Sequence, residues 1–206
     1  MNKLVLAFSL ILSLTTSANI NWTPIHTEDN INIFTREAEE GILPFRATGT
    51  IKAPLKVVLE TLMDMSNKNK WSPKLKSVNI HKTVNENHMI ISEYYKTPWP
   101  ATDREFLLEG IKEKISDTKY IIRAKSVVNQ DYSSTEHIQA DVKYLDVTLE
   151  YKNKNETKID FRFHGDLKGW MPIWLTNLIQ KKWPLRFIQG LNKYISSRDT
   201  TRLSLN

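Results

Sequence analysis

Between residues 22 and 164 the chain is dominated by short runs in which apolar and polar side chains alternate, the period-two pattern of strands with one dry and one wet face. Residues 22–25 and 31–35 read as two such strands around the turn signal Glu28-Asp29-Asn30, and residues 45–51 as a third. At Ala53-Pro54 the period changes. Leu55, Val58, Leu59, Leu62 and Met63 recur at helical spacing behind a proline at the first position, which predicts one amphipathic helix ending near Ser66-Asn67. From Leu75 onward, residues 75–83, 87–96, 103–115, 119–128, 136–151 and 157–164 read as strands. In the last of these Ile159, Phe161 and Phe163 alternate with Lys158, Asp160 and Arg162. Along 136–151 the apolar set is first even (Ile138, Ala140, Val142, Tyr144) and then odd (Val147, Leu149, Tyr151), which predicts a bulge or turn near Leu145-Asp146. From Met171-Pro172 to about Ser197 the pattern is helical again. Met171, Trp174, Leu175 and Leu178 form one stripe, Phe187, Ile188, Leu191, Tyr194 and Ile195 another, and Trp183-Pro184 predicts a break between them. The expected fold class is α+β: a curved antiparallel sheet with one early helix and one long final helix, in a single domain over 19–206.

Composition narrows the function. Of 206 residues 40% are hydrophobic and 25% charged, the balance of a folded chain, and the absence of cysteine excludes disulfides, thiolate metal sites and thiol nucleophiles. A short positive start, an apolar run from Leu4 to Leu14 and the small residues Thr16-Ser17-Ala18 read as a secretory signal cleaved after Ala18. That run is too short to span a bilayer. The expected location is therefore exported, periplasmic or secreted. The 29 basic against 23 acidic residues favour anionic partners; for an exported chain that means anionic lipid rather than nucleic acid.

A curved sheet closed by a helix either fills its hollow with side chains or leaves room for an apolar guest. The most informative stretch runs from Ile91 to Phe106 through Thr97-Pro98-Trp99-Pro100. A hairpin symmetric about Pro98 and Trp99 sets Glu93 opposite Arg104, either as a buried pair that orients a ligand's polar end or as a rim salt bridge of little weight. Strand parity and helix stripe give Phe106, Leu108, Tyr144, Phe161, Phe163, Leu175 and Leu178 as candidate walls. Chemistry is hardly signalled: the five histidines show no metal-binding pair, and there is no GxSxG elbow or phosphate-binding glycine loop. No cofactor, no metal and no catalytic residue is expected. Lys181, Lys182, Arg186, Lys193, Arg198 and Arg202, interleaved with Trp170, Trp174, Trp183 and Phe187, suit either docking of the last helix on the sheet or transient contact with an anionic membrane.

Taken in order, Trp22-Thr23-Pro24, Ile31 to Arg36, Gly49 to Pro54, Asn69-Lys70-Trp71, Thr97 to Pro100 with Asp103 to Phe106, and Gly169 to Pro172 resemble the START (StAR-related lipid-transfer) domain in its bacterial exported form, over about 22–197. The resemblance implies a helix-grip fold. It also implies non-covalent binding of one lipid, sterol or other apolar molecule in a hydrophobic tunnel, often for transfer between membranes. The chain is expected to act as a monomer. Some sterol-binding members carry a further arginine about six residues beyond the one matching Arg104; here that residue is Gly110. The rival expectations are a cyclase- or hydrolase-like enzyme on the same scaffold and an interaction protein whose hollow is filled by its own side chains.

Overall fold

The computed structural model describes residues 21–37 and 42–203; the leader read at residues 1–18 lies outside them. Ten strands form one sheet: β1 (Thr23–Glu28), β2 (Ile31–Thr35), β3 (Ile42–Ile51), β4 (Leu75–Asn85), β5 (His88–Tyr95), β6 (Arg104–Ser116), β7 (Lys119–Ser126), β8 (Ile138–Gln139), β9 (Asp141–Asn153) and β10 (Glu156–Asp166). Helix α1 (Leu55–Met63) follows β3, and α2 (Ile173–Leu203) ends the described chain. The strand order is β1-β2-β3-β10-β9-β7-β6-β5-β4, antiparallel along this path, and the two-residue β8 adds to β6 in parallel. This is the helix-grip α+β architecture, a curved antiparallel sheet holding a C-terminal helix.

Local chemistry explains the joints. Asp29 and Asn30 both have positive φ (53° and 58°), the backbone that a two-residue hairpin between β1 and β2 demands and that these residue types tolerate. The early helix begins one residue later than expected, with Pro54 as its N-cap, and stops at Met63. Asp64 then accepts from the Asn67 backbone N–H and side chain (3.3 and 2.7 Å), capping a separate 3₁₀ turn, Met65–Lys70. The expected single helix is thus two pieces, and the second carries Lys68 beneath the sheet.

The parity change in the eighth and ninth strands is present but lies earlier than expected. His164 pairs with Tyr144 and Gly165 with Val142, so Lys143 is the extra residue. Val142, Val147 and Leu149 therefore face the core.

Helix α2 departs from expectation in another way: it is continuous, with Pro184 inside it. Its two halves differ in seating. Leu185, Phe187, Ile188, Leu191 and Ile195 are buried, each full burial contributing roughly 1.5–3 kcal/mol, and they fix the C-terminal half against the inner face. Phe161 is sandwiched there, stacked on Phe187 (4.8 Å) and tilted against Trp183 (5.5 Å). In the N-terminal half Leu175 is buried, whereas Ile173, Trp174 and Leu178 are exposed. The first stripe is therefore only partly core.

Candidate functional site

Between the inner face of the sheet and the first half of α2 lies a cavity of about 190 Å³. Period-two spacing brings Glu93 and Tyr95 into it from β5 and Arg104 and Phe106 from β6. Leu43 and Phe45 enter from β3, Leu145 from β9 and Phe163 from β10. The roof is one helical stripe: Leu175, Leu178, Ile179, Lys182, Trp183 and Arg186 fall at i, i+3, i+4, i+7, i+8 and i+11. A second hollow of about 60 Å³ lies deeper, lined among others by Leu62, Met65, Met89, Leu108, Gly110 and Phe187.

The expected cross-strand pair is not formed. In the observed register Arg104 faces Tyr95, and Glu93 faces Phe106. The cause is the turn, in which the Ala101 N–H bonds Pro98 O (3.2 Å), centring the hairpin one position further along than Pro98-Trp99. Each charged group has found another partner. Glu93, with its side chain only 2% exposed, is bound by Lys68 Nζ at one oxygen and accepts from Tyr95 Oη (2.7 Å) at the other. Burial, with the Glu93 charge beside it, pushes the Tyr95 phenol well above its ordinary pKa, so it stays a donor.

Arg104 is buried and donates to three backbone carbonyls: Thr102, Leu167 (3.0 Å) and Lys168 (2.7 Å). Burial pulls its pKa down from the arginine value, and Asp103 opposes that. Its task is structural. Lys168 and Gly169 are consecutive left-handed residues (φ 52° and 64°), a turn that is costly for lysine and open to glycine. The guanidinium fork fixes this turn just before α2, so Arg104 positions the roof.

Six candidate wall residues meet in the larger cavity: Glu93, Arg104, Phe106, Phe163, Leu175 and Leu178. Leu108 lines the smaller hollow instead. Phe161 lines neither; it is fully buried behind Trp183 and Phe187. Tyr144 is a correction, because the bulge at Lys143 turns it to the outer face, where its ring meets His164 (5.4 Å). Sequence reasoning missed Tyr95, which sits in the same stretch with the right parity, and Lys68, whose approach no local pattern signals.

On the outer face Ser92 Oγ donates to Glu105 (2.7 Å) and meets His81 Nε2 (2.8 Å), while the Ser134 N–H also reaches Glu105 (2.8 Å). In a nucleophilic triad histidine stands between serine and acid; here serine is in the middle and faces away from the cavity. This network fastens the segment before β8 to the sheet. Among the described residues no cluster of histidine and acidic side chains is placed to hold a metal.

A family model for the START domain matches residues 9–195. The chain belongs to the START domain family. Ceramide transfer proteins of Homo sapiens and Pongo abelii are each 28% identical over 99 residues, 46% of this chain but only 16% of their own length. Among solved structures, human StAR-related lipid transfer protein 5 superposes with a TM-score of 0.80 at 14% identity, covering 89% of this chain and 90% of that one. The StAR-related lipid transfer protein of Xanthomonas axonopodis gives 0.72 at 20% identity, with 85% and 98% covered. The Streptomyces aromatase/cyclase Zhui also shares the fold, at 0.52 and 10% identity over 76% of this chain and 95% of that one. The START membership thus rests on the sequence model, and the structural likenesses speak for the fold.

Proposed function

We propose that this START domain binds a lipid or similar apolar molecule in the cavity beneath α2 and carries it between membranes. One observation carries the reading: a largely apolar cavity lies under the less firmly seated half of a helix whose other half is anchored in the core. Local opening is expected where few apolar groups are buried, and here that is the stretch leading into and through residues 173–182. The ligand's affinity would come from apolar burial at roughly 25 cal/mol per Å². Its polar end would stay at the mouth, among Lys74, Lys96 and Arg186. We favour binding over catalysis because the buried charges in the cavity already hold partners that stabilise the fold: Glu93 is taken by Lys68 and Tyr95, Arg104 by carbonyls.

The mouth suits an anionic bilayer. Trp99 is 88% exposed beside Pro98 at the rim, and Trp170, Ile173 and Trp174 are exposed at the start of the roof. Lys74, Lys96 and Arg186 line the same opening, and no carboxylate among the described residues pairs with them at salt-bridge distance. Aromatic rings at headgroup depth with cations beside them give a contact that weakens with salt. The leader pattern supports work outside the cytoplasm.

The test is transfer of a panel of fluorescent lipids, a ceramide included, from donor to acceptor vesicles with and without anionic lipid. We expect faster transfer of at least one lipid, loss of that transfer in Leu178→Glu at the mouth, and weaker vesicle binding in Trp99→Ser. Transfer at the protein-free rate for the whole panel would refute the proposal.

A further inference from the structure

At about 190 Å³ the main cavity is smaller than the roughly 300 Å³ at which small-molecule sites usually begin. It does not end in solid core. Glu93, Tyr95, Leu145 and Trp183 line both this cavity and the deeper hollow of about 60 Å³, so these four side chains are a partition one residue thick.

Resting on the lipid-binding reading above, we propose that the deeper hollow seats the far end of a linear hydrocarbon chain, and that Trp183 is the gate which sets how long a chain fits. The partition is unequal in its fastening. Tyr95 is bonded to Glu93 and Glu93 to Lys68, whereas Trp183 is held by ring contacts with Phe45, Tyr95, Phe161 and Phe187, centroids 5.4 to 6.0 Å away. A swing of the indole joins the two spaces without breaking the ion pair.

The far side is built to adapt. Met65 and Met89 line it, and thioether side chains refill irregular space readily. Its floor is open at Gly110, in the middle of β6. A Cβ placed there meets nothing nearer than the carbonyl oxygens of Met89 and Arg123, both at 4.0 Å. Glycine inside a strand weakens it and often marks a place where a ligand comes close. The missing side chain keeps this hollow empty.

The experiment titrates the protein with saturated fatty alcohols of increasing even chain length, read by displacement of anilinonaphthalene sulfonate. For the wild type, affinity rises about fourfold per added methylene, the equivalent of about 0.8 kcal/mol, up to a limiting length. Gly110→Leu fills the hollow and lowers that limit while leaving shorter alcohols bound as before. Trp183→Leu opens the partition and raises it. Should Gly110→Leu fail to fold, Ala124→Leu narrows the same hollow from β7 and must lower the limit likewise. Alcohols that bind with one limiting length in all variants overturn the gate while leaving the lipid-binding reading intact. A wild-type protein that binds no alcohol of any length overturns both.

Discussion

Replacing Gly190 by alanine separates the packing of α2 from its intrinsic helicity. In the middle of a helix this change ordinarily stabilises by about 1 kcal/mol. Here a Cβ on residue 190 falls 2.2 Å from the carbonyl oxygen of Trp71 and 3.3 Å from its carbonyl carbon, far inside contact distance and against backbone. Neither side yields easily. Gly190 lies between the buried Ile188 and Leu191, and Trp71 is buried with its ring edge on Phe187 at 5.1 Å. Overpacking of this kind costs about 3 kcal/mol or more, which outweighs the gain in propensity and leaves a net loss of about 2 kcal/mol. For a domain of this size that lowers the Tm by about 4–8 °C. Urea and thermal unfolding of Gly190→Ala, beside the exposed control Lys193→Ala, measure it. The control should stay within about 0.5 kcal/mol of wild type. A rise in Tm for Gly190→Ala would refute the close approach of α2 to the chain after the 3₁₀ turn, and with it the firm seat assigned to this half of the roof.

Lys68→Met leaves the buried Glu93 carboxylate with Tyr95 as its remaining partner and should cost about 3–5 kcal/mol, while the double change Lys68→Met/Glu93→Leu recovers most of that; a single variant as stable as wild type in urea unfolding contradicts the buried pair. Arg104→Met deprives three carbonyls of their donor, so amide hydrogen exchange should quicken across residues 166–175 and stay unchanged in β4, with Arg104→Lys only partly restoring protection. The hydrogen bond from Lys76, with the Thr97 N–H adding to it, holds the Asp103 carboxyl below its ordinary pKa. Because the folded-state value is lowered, this stabilisation is complete above the unfolded value of about 3.9 and is lost as pH falls through the folded one. Relative to the intrinsic rate at each pH, protection in the loop 97–102 should therefore fall in that acid range, and Asp103→Asn should flatten the response.

Where a signal was local, the sequence carried it. Alternation along Ile159, Phe161 and Phe163 marked β10, the Asp-Asn pair marked the first hairpin, and helical spacing marked Leu175 and Leu178 of the roof, although the break expected at Trp183-Pro184 hid its continuation to Arg186. Quantities that depend on distant geometry were not legible. The hairpin centre after Tyr95 is set by a turn over Pro98–Ala101, and a shift of one position there gives Glu93 and Arg104 different neighbours. Lys68 reaches Glu93 from a 3₁₀ turn 25 residues away, and no periodicity encodes that approach. Phe161 and Phe163 share one face of one strand, yet only Phe163 lines the cavity, because the helix crosses above Phe161. Tyr144 moved to the outer face because a single extra residue at Lys143 inverts every side chain on one side of it.

Whether the interior under α2 takes a guest is read from native mass spectrometry of the protein as purified from the cells that make it, with lipid extraction of the same sample. A loaded interior gives a population heavier than the polypeptide by the mass of one apolar molecule, matched in the extract and reduced in Leu178→Glu. A protein that always carries the bare polypeptide mass, with an extract no richer in lipid than a buffer control, would contradict it.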